Sequence, residues 1–484
     1  MNIINQKRII YLLILLGIIL KITYLVQFDD YYDDWNFFYT VEPYISNAET
    51  WQRHYYGDRG DGFLKEAFPW NFTYLTKFFL HYAGYTVENT HYFLLSFSIL
   101  SFFIFYSLCK LISKDFNFHI LAFVFFATNL FLVRELNSFR PHSLSVLLSL
   151  ISNYLFIIVF IKKKLNKLPM IGYIISVLSM LSFWPQNLAL FGGHCIFLLL
   201  LLLKKEISKK LFLITPTIIL TLYILLNYQY IEYIALQDWS YIPLNKKFFM
   251  NYFFRSFFGS IAFGGMMIVI FGFFLINSIK NEIKYFGSKL FLKLNAENFI
   301  IINILSIYLI TIAYSLIKES VLAPKYFLTL LPLIIIWISL KISETKKKLL
   351  SSVVILCAIL NSIYFWSDTP IKRAPMREVL KIISEKDIKK IYTTESNVFN
   401  NYLSHYNLAK KKNIHVSKLK DLKIEKKNDF FAVLCLNYAR AAYGDNYKNL
   451  VQDKCKNILN NERLIILEEI KIPDFIIYIA KYNN

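Results

Sequence analysis

Four aspartates stand within six positions in "QFDDYYDDWN", at Asp29, Asp30, Asp33 and Asp34. Carboxylates in such a run can take a proton from an attacking hydroxyl or amine, or offer oxygen ligands to a divalent cation. Packed this closely they repel one another, so a cation, a hydrogen-bond network or a positive substrate site must compensate. A solvated helix end is the competing reading, because the run follows an apolar segment directly. Spacing alone leaves both open.

A second polar group is Arg134, Glu135, Arg140 and His142, in "RELNSFRPH". Arginine pairs bidentately with phosphate; the alternative for both arginines is snorkelling to lipid headgroups. His142 taken alone reads as a satisfied interfacial histidine. A third group is "KESVLAPKY", where Lys318 and Lys325 are either anion ligands or interfacial anchors. Lys21, inside the first apolar run, reads as a snorkelling side chain, and "FWPQN" at 183–187 as a very tight turn between two apolar segments. Neither an HExxH pair, nor a Walker A loop, nor Rossmann glycines occur. Asn71-Phe72-Thr73 is a glycosylation triplet of a kind too common to weigh.

The elements that must position these groups follow from composition. Of 484 residues, 56% are hydrophobic and 18% aromatic, and apolar runs of about twenty residues recur. A hydrocarbon layer roughly 30 Å thick needs such runs, whereas a buried soluble helix rarely does. The expected spans are 9–26, 92–113, 117–133, 142–161, 168–184, 188–203, 211–228, 258–279, 298–317, 326–342 and 349–366, eleven in all. The first follows Lys7 and Arg8 as a signal peptide would, but no small-residue cleavage site follows it, so it reads as a retained span.

With the N-terminus inside, the inner segments contain twenty basic residues and the short outer loops only seven. That is the bias of the positive-inside rule, and the odd number of spans then puts the C-terminus outside. The net charge of +21 is spread over segments flanking the spans and over the tail, so it does not form a nucleic-acid face. The expected fold is mainly α: a polytopic transmembrane helical bundle of about eleven spans, with interfacial helices in the first outer loop and a small C-terminal α/β domain. The transmembrane domain is placed at 1–366, its first outer loop at 27–91, and the exported domain at 367–484. Cys435 and Cys455 share that domain, where a disulfide is permitted.

Taken in order, four features resemble the C superfamily of membrane glycosyltransferases, and more narrowly the protein O-mannosyltransferase and lipid A aminoarabinose transferase group, the glycosyltransferase family 39-like enzymes. They are "YYDDW" after the first span, "SFRPHSLSVLLSL" opening the fourth, "APKYFLTLLPLIII" opening a late span, and the exported C-terminal domain. The chain departs from that pattern in having Asp33-Asp34 for the usual Asp-Glu, with Asp29-Asp30 as a competing pair. His142 stands where a tyrosine is usual, Lys325 where an arginine is, and the proline-rich run before the second span is reduced to Pro69.

The resemblance implies a sugar donor linked to polyprenyl phosphate, and an acceptor hydroxyl or amine on a glycolipid, glycan or protein. It implies transfer with inversion at the outer face of a bacterial inner membrane. Asp33 would be the general base and Asp34 would orient the acceptor or a divalent cation. Arg134, Arg140, Lys325 and His142 would hold the donor phosphate, and Glu135 and Asp30 are candidate acceptor or metal positions. Two other classes remain open: an envelope glycan polymerase or ligase, and a flippase or transporter of lipid-linked glycans. The latter expects ionisable groups near mid-membrane.

Overall fold

Helix occupies all eleven expected windows in the computed structural model, which describes residues 3–27, 37–55, 68–164, 166–235, 258–285, 294–317, 324–367, 376–393, 396–405, 414–418, 430–436, 464–472 and 475–482. In chain order the helices are α1 (Ile3–Gln27), α2 (Asn47–Tyr55), α3 (Trp70–Ala83), α4 (Val87–Ile112), α5 (Phe116–Thr128), α6 (Leu130–Glu135), α7 (His142–Phe156) and α8 (Lys167–Phe183). They continue with α9 (Leu188–Leu203), α10 (Lys209–Ala235), α11 (Ile261–Tyr285), α12 (Ala296–Ile317), α13 (Leu330–Glu344), α14 (Lys348–Ser367), α15 (Met376–Glu385) and α16 (Ser396–His405).

Among the described residues, seven helices are long and apolar enough to cross a membrane. The chain is an integral membrane protein. The other four expected windows hold shorter helices, and their departures from a plain span are informative. α5 has only 13 residues, about 20 Å at 1.5 Å per residue, which is short of the hydrocarbon thickness. It breaks at Asn129, whose φ of −70° and ψ of 106° leave the helical region. The Asn129 side chain then accepts from Leu132 N–H at 3.0 Å and starts α6 on a new axis. One expected span is thus two helical pieces, and the second carries Arg134 and Glu135. α13 is apolar around its whole circumference and buried along almost its whole length, as a central helix surrounded by others must be.

Small residues set how closely these helices approach. α9 packs along α12 and α4 along α7. At Gly193 of α9, a Cβ would lie 2.4 Å from Asn303 Oδ1 and 3.1 Å from the Asn303 backbone on α12. Beside that contact the bundle holds a polar chain. Tyr173 OH bonds His194 Nδ1 at 3.0 Å, and His194 Nε2 meets Asn153 Oδ1 at 3.2 Å. Asn153 Nδ2 in turn donates to Ser149 O at 2.7 Å. All four residues are buried, and both ring nitrogens of His194 have partners, as a fixed structural network requires.

The tail carries α15 and the strands β1 (Lys390–Thr393), β3 (Phe431–Leu436), β4 (Leu464–Ile472) and β5 (Phe475–Tyr482). The structure adds α16 and the short β2 (His415–Lys418). The sheet order is β2-β1-β3-β5-β4, with β1 parallel to both β2 and β3, and β5 antiparallel to both β3 and β4. Cys435 on β3 is disulfide-bonded, Cys109, Cys195 and Cys357 are free, and Cys455 lies outside the described residues.

One face of the sheet and its helices shares a single hydrophobic cluster with the segment that follows α1. Ile391, Ala432, Ile477, Val379 and Phe399 join Phe37, Phe38, Phe68, Phe72, Phe139 and Trp184. The sheet therefore sits at the same end of the bundle as 37–87. α3 buries Phe72, Thr76 and Leu80 in this core and exposes Tyr74, Phe78 and Tyr82 along the opposite stripe. That pattern suits a helix lying in a membrane interface.

Replacing Gly193 by Ala should cost about 1–3 kcal/mol by overpacking the α9–α12 contact. A Cβ at Gly265 meets nothing within 4 Å, so Gly265→Ala should leave stability unchanged. Thermal unfolding of the two variants in detergent distinguishes them; equal midpoints would contradict the close approach.

Candidate functional site

The sequence from α6 to α7 folds back on itself because its polar side chains bond locally. Arg134 places Nε and Nη2 at 2.9 and 2.8 Å from Glu135 Oε1. Ser138 Oγ donates to Glu135 O at 2.8 Å. His142 Nδ1 lies 3.4 Å from Glu135 Oε2, 3.3 Å from Glu135 O and 3.2 Å from Ser138 Oγ. A carboxylate and a carbonyl can only accept, so this network assigns the imidazole hydrogen to Nδ1. The His142 Nε2 lone pair is then an acceptor, and it is buried with no hydrogen-bond partner among the described residues.

Arg140 and Lys325 both act electrostatically on His142, and the Phe68, Tyr326 and Trp184 rings link the three. The Arg140 guanidinium lies over Phe68 at 5.6 Å, and Lys325 over Tyr326 at 5.6 Å. Trp184 closes the group: its ring stands perpendicular to His142 at 4.9 Å and lies 5.9 Å from Tyr326. The structure thus gathers Arg134, Glu135, Arg140, His142 and Lys325 at one end of the bundle. Asp30, Asp33 and Asp34, with Asp29 and Lys318, lie outside the described residues. Among the described residues, no three of His, Cys, Asp and Glu converge as a metal site would need. Both Glu135 oxygens are engaged by Arg134 and His142.

One expectation changes. Lys21 does not snorkel: it is 2% exposed, with Nζ 5.9 Å from the Phe102 ring and no hydrogen-bond partner among the described residues. The cause is one turn earlier, where Gly17 lets α1 approach so closely that a Cβ would lie 2.4 Å from Phe102. Lys21 follows on that same inward face, and its carbonyl accepts from Asn137 Nδ2 at 3.3 Å. Asn71, the first residue of the glycosylation triplet, has a structural job. Its Nδ2 donates to Asn227 Oδ1 at 2.9 Å and to Ser182 O at 3.3 Å. This ties α3 to α8 and to the kink of α10 at Asn227.

The segment that follows α1 is anchored by two cations that sequence reading did not single out. Lys77 Nζ donates to Ile45 O and Thr50 Oγ1, each at 2.7 Å. Arg53 donates to Tyr39 O and Glu42 Oε2, each at 3.0 Å, and also pairs with Glu49. Burial pulls the Arg53 pKa down, but the Glu42 and Glu49 carboxylates more than offset it and hold it above the ordinary value. Conserving charge at both positions fixes the backbone from 39 to 55 around the site.

Glu135→Ala should destabilise the protein by about 1–3 kcal/mol, because it leaves the part-buried Arg134 guanidinium without its acceptor. In a double-mutant cycle with Arg134→Ala, the coupling should be about 1–3 kcal/mol. Additive losses in thermal unfolding would show that the pair is not coupled.

No protein-family model and no curated protein matches the chain. Among solved structures it is similar to the oligosaccharyltransferase of Archaeoglobus fulgidus, crystallised with Zn and sulfate, at 10% identity and a TM-score of 0.44. The match covers 84% of this chain, which spans only 62% of the length of that protein.

Proposed function

We propose that the chain is a membrane glycosyltransferase that moves a sugar from a polyprenyl-phosphate donor to an acceptor hydroxyl or amine at the outer face of the membrane. The observation that supports this most is the meeting of Arg140 and Lys325 around His142, beside the Arg134–Glu135 pair and next to the end of α1. Two cations on an aromatic floor at one end of an apolar bundle suit a lipid-linked phosphate, whose tail needs hydrocarbon and whose sugar needs water. Asp33 follows Gln27 by six residues, a tether of at most about 20 Å.

In this mechanism Asp33 takes the proton from the acceptor as the acceptor's lone pair attacks the anomeric carbon from the face opposite the phosphate. The carbon–oxygen bond to phosphate breaks, and its electron pair stays on the phosphate oxygen. Arg140 and Lys325 stabilise that developing charge. Asp34 orients the acceptor. A divalent cation bound by the acidic run would add Lewis acidity at this position, and Asp29 and Asp30 are the further oxygen ligands available to it. Arg134 acts through Glu135, since its guanidinium is committed to that carboxylate. The bacterial inner membrane is the setting in which such donors face outward.

Comparison of lipid-linked glycans and glycolipids in cells with and without the protein should show one missing sugar, naming donor and acceptor together. Asp33→Asn and Asp34→Asn variants, inserted normally, should lose transfer, and the mechanism is wrong if both retain it fully. Arg140→Ala and Lys325→Ala should each weaken binding of undecaprenyl phosphate by about tenfold to a hundredfold, the cost of one charge-assisted hydrogen bond.

A further inference from the structure

At the end of the bundle away from the candidate site, the turn from α4 to α5 faces the turn from α13 to α14. Between them lies a cavity of about 390 Å³. Its place follows from the helices. α4 begins at Val87, inside the hydrophobic cluster around the site, and runs away from it to Ile112. α13 follows Tyr326, which packs on the same cluster, and runs to Glu344. α5 packs along both α13 and α14, which brings the two turns together. Asp115 and Asn117 line one wall of the cavity, and Glu344, Lys346 and Lys348 line the other.

The walls carry both signs of charge. Asp115 Oδ1 accepts from Asn117 N–H at 3.1 Å and so caps α5, and Lys341 Nζ holds Glu344 Oε2 at 2.9 Å. A carboxylate accepts through both of its oxygens, so each acid keeps capacity towards the cavity. Lys346 and Lys348 are exposed cations. Immediately beyond Lys348, α14 exposes Leu349, Val353, Leu356 and Leu360. Steps of three and four residues set these side chains on one face of the helix. In an integral membrane protein such a face meets acyl chains, so the charged cavity opens where a lipid-facing stripe begins.

Charge decides among the ligands for such a place. A purely anionic headgroup satisfies the lysines but meets Asp115 and Glu344 as like charges. A metal ion suits the acids and meets the lysines as like charges. A headgroup with a phosphate and a primary ammonium satisfies both walls, because the ammonium donates charge-assisted hydrogen bonds to carboxylates. A choline headgroup has the same two charges, but its quaternary nitrogen has no hydrogen to donate. We propose that this cavity binds the headgroup of a phosphatidylethanolamine. Lys346 and Lys348 take its phosphate, Asp115 and Glu344 take its ammonium, and its acyl chains lie along the exposed stripe of α14. The site is at the opposite end of the bundle from the transfer chemistry and does not depend on that reading.

The test is native mass spectrometry of the full-length protein in detergent, with dioleoyl phosphatidylethanolamine, phosphatidylcholine or phosphatidylglycerol added. The first phosphatidylethanolamine should bind about fivefold more tightly than either other lipid, the scale of one exposed ion pair. Asp115→Asn should abolish the preference over phosphatidylcholine. Asparagine caps a helix as well as aspartate does, so this variant should keep the wild-type unfolding midpoint. Lys346→Gly should weaken binding of all three lipids, since all carry the phosphate. Lys346 has a φ of 55°, which glycine adopts freely, so that substitution removes the cation without backbone cost. Equal affinity for the three lipids overturns the proposal, as does a preference that survives Asp115→Asn or binding that Lys346→Gly leaves unchanged. Tighter binding of phosphatidylglycerol also overturns it, and makes the cavity part of a general cationic surface. Displacement of the bound lipid by water-soluble phosphorylethanolamine would assign the cavity to a free ligand and overturn the lipid.

Discussion

The Glu135 carboxylate is the group on which the candidate site turns. It is almost fully buried, and an unpaired carboxylate there would be expensive. Pairing with Arg134 on one side and His142 on the other removes that cost and fixes three things at once. It stops the arginine from reaching into solvent, assigns the imidazole hydrogen, and closes the loop from α6 back onto α7. Everything nearby takes its position from that closure. Arg140 sits inside the loop, Trp184 leans on the imidazole, and Lys325 approaches from a distant segment.

The backbone supplies the geometry that this pairing needs. A straight helix through Asn129 would carry Arg134 and Glu135 on along the axis of α5. The break there lets the short α6 take its own direction, and its last residues meet the carbonyl side of α1 at Lys21. The kink of α10 at Asn227 does a similar service for α3, through Asn71. Buried amides at helix irregularities recur in this protein because they satisfy the backbone groups an irregularity exposes, and they also reach a neighbouring helix.

Most of the helices were legible in the sequence because an apolar run of span length has few other uses. What the sequence did not carry was which helices stand in the middle. α13 differs little in composition from its neighbours, yet it is the one enclosed on all sides, a fact of packing rather than of hydropathy. The Asn129 break was hidden inside a continuous apolar stretch, where asparagine as a helix cap is an ambiguous sign. The strand β2 has a single apolar residue, Val416, so alternation had nothing to register. Arg134, Glu135, Arg140 and His142 could be grouped because they are neighbours in sequence. Lys325 needed the fold to reach them, and the residues of "FWPQN" looked like turn chemistry until the contacts of Trp184 were visible. Lys21 was misread because snorkelling assumes a lipid-facing side chain, and Gly17 turns that side of α1 towards α4.

The hydrophobic cluster that joins the sheet to the segment after α1 links early and late parts of the chain. Phe37 and Phe72 leave the ribosome hundreds of residues before Ile391, Ala432 and Ile477. Until those strands exist, the aromatic side chains of the segment after α1 have no cover from the sheet. The candidate site therefore cannot reach its finished packing until those strands are made, and a segment synthesised late acts as the closing step for an early one. A long wait of this kind exposes apolar surface during biogenesis.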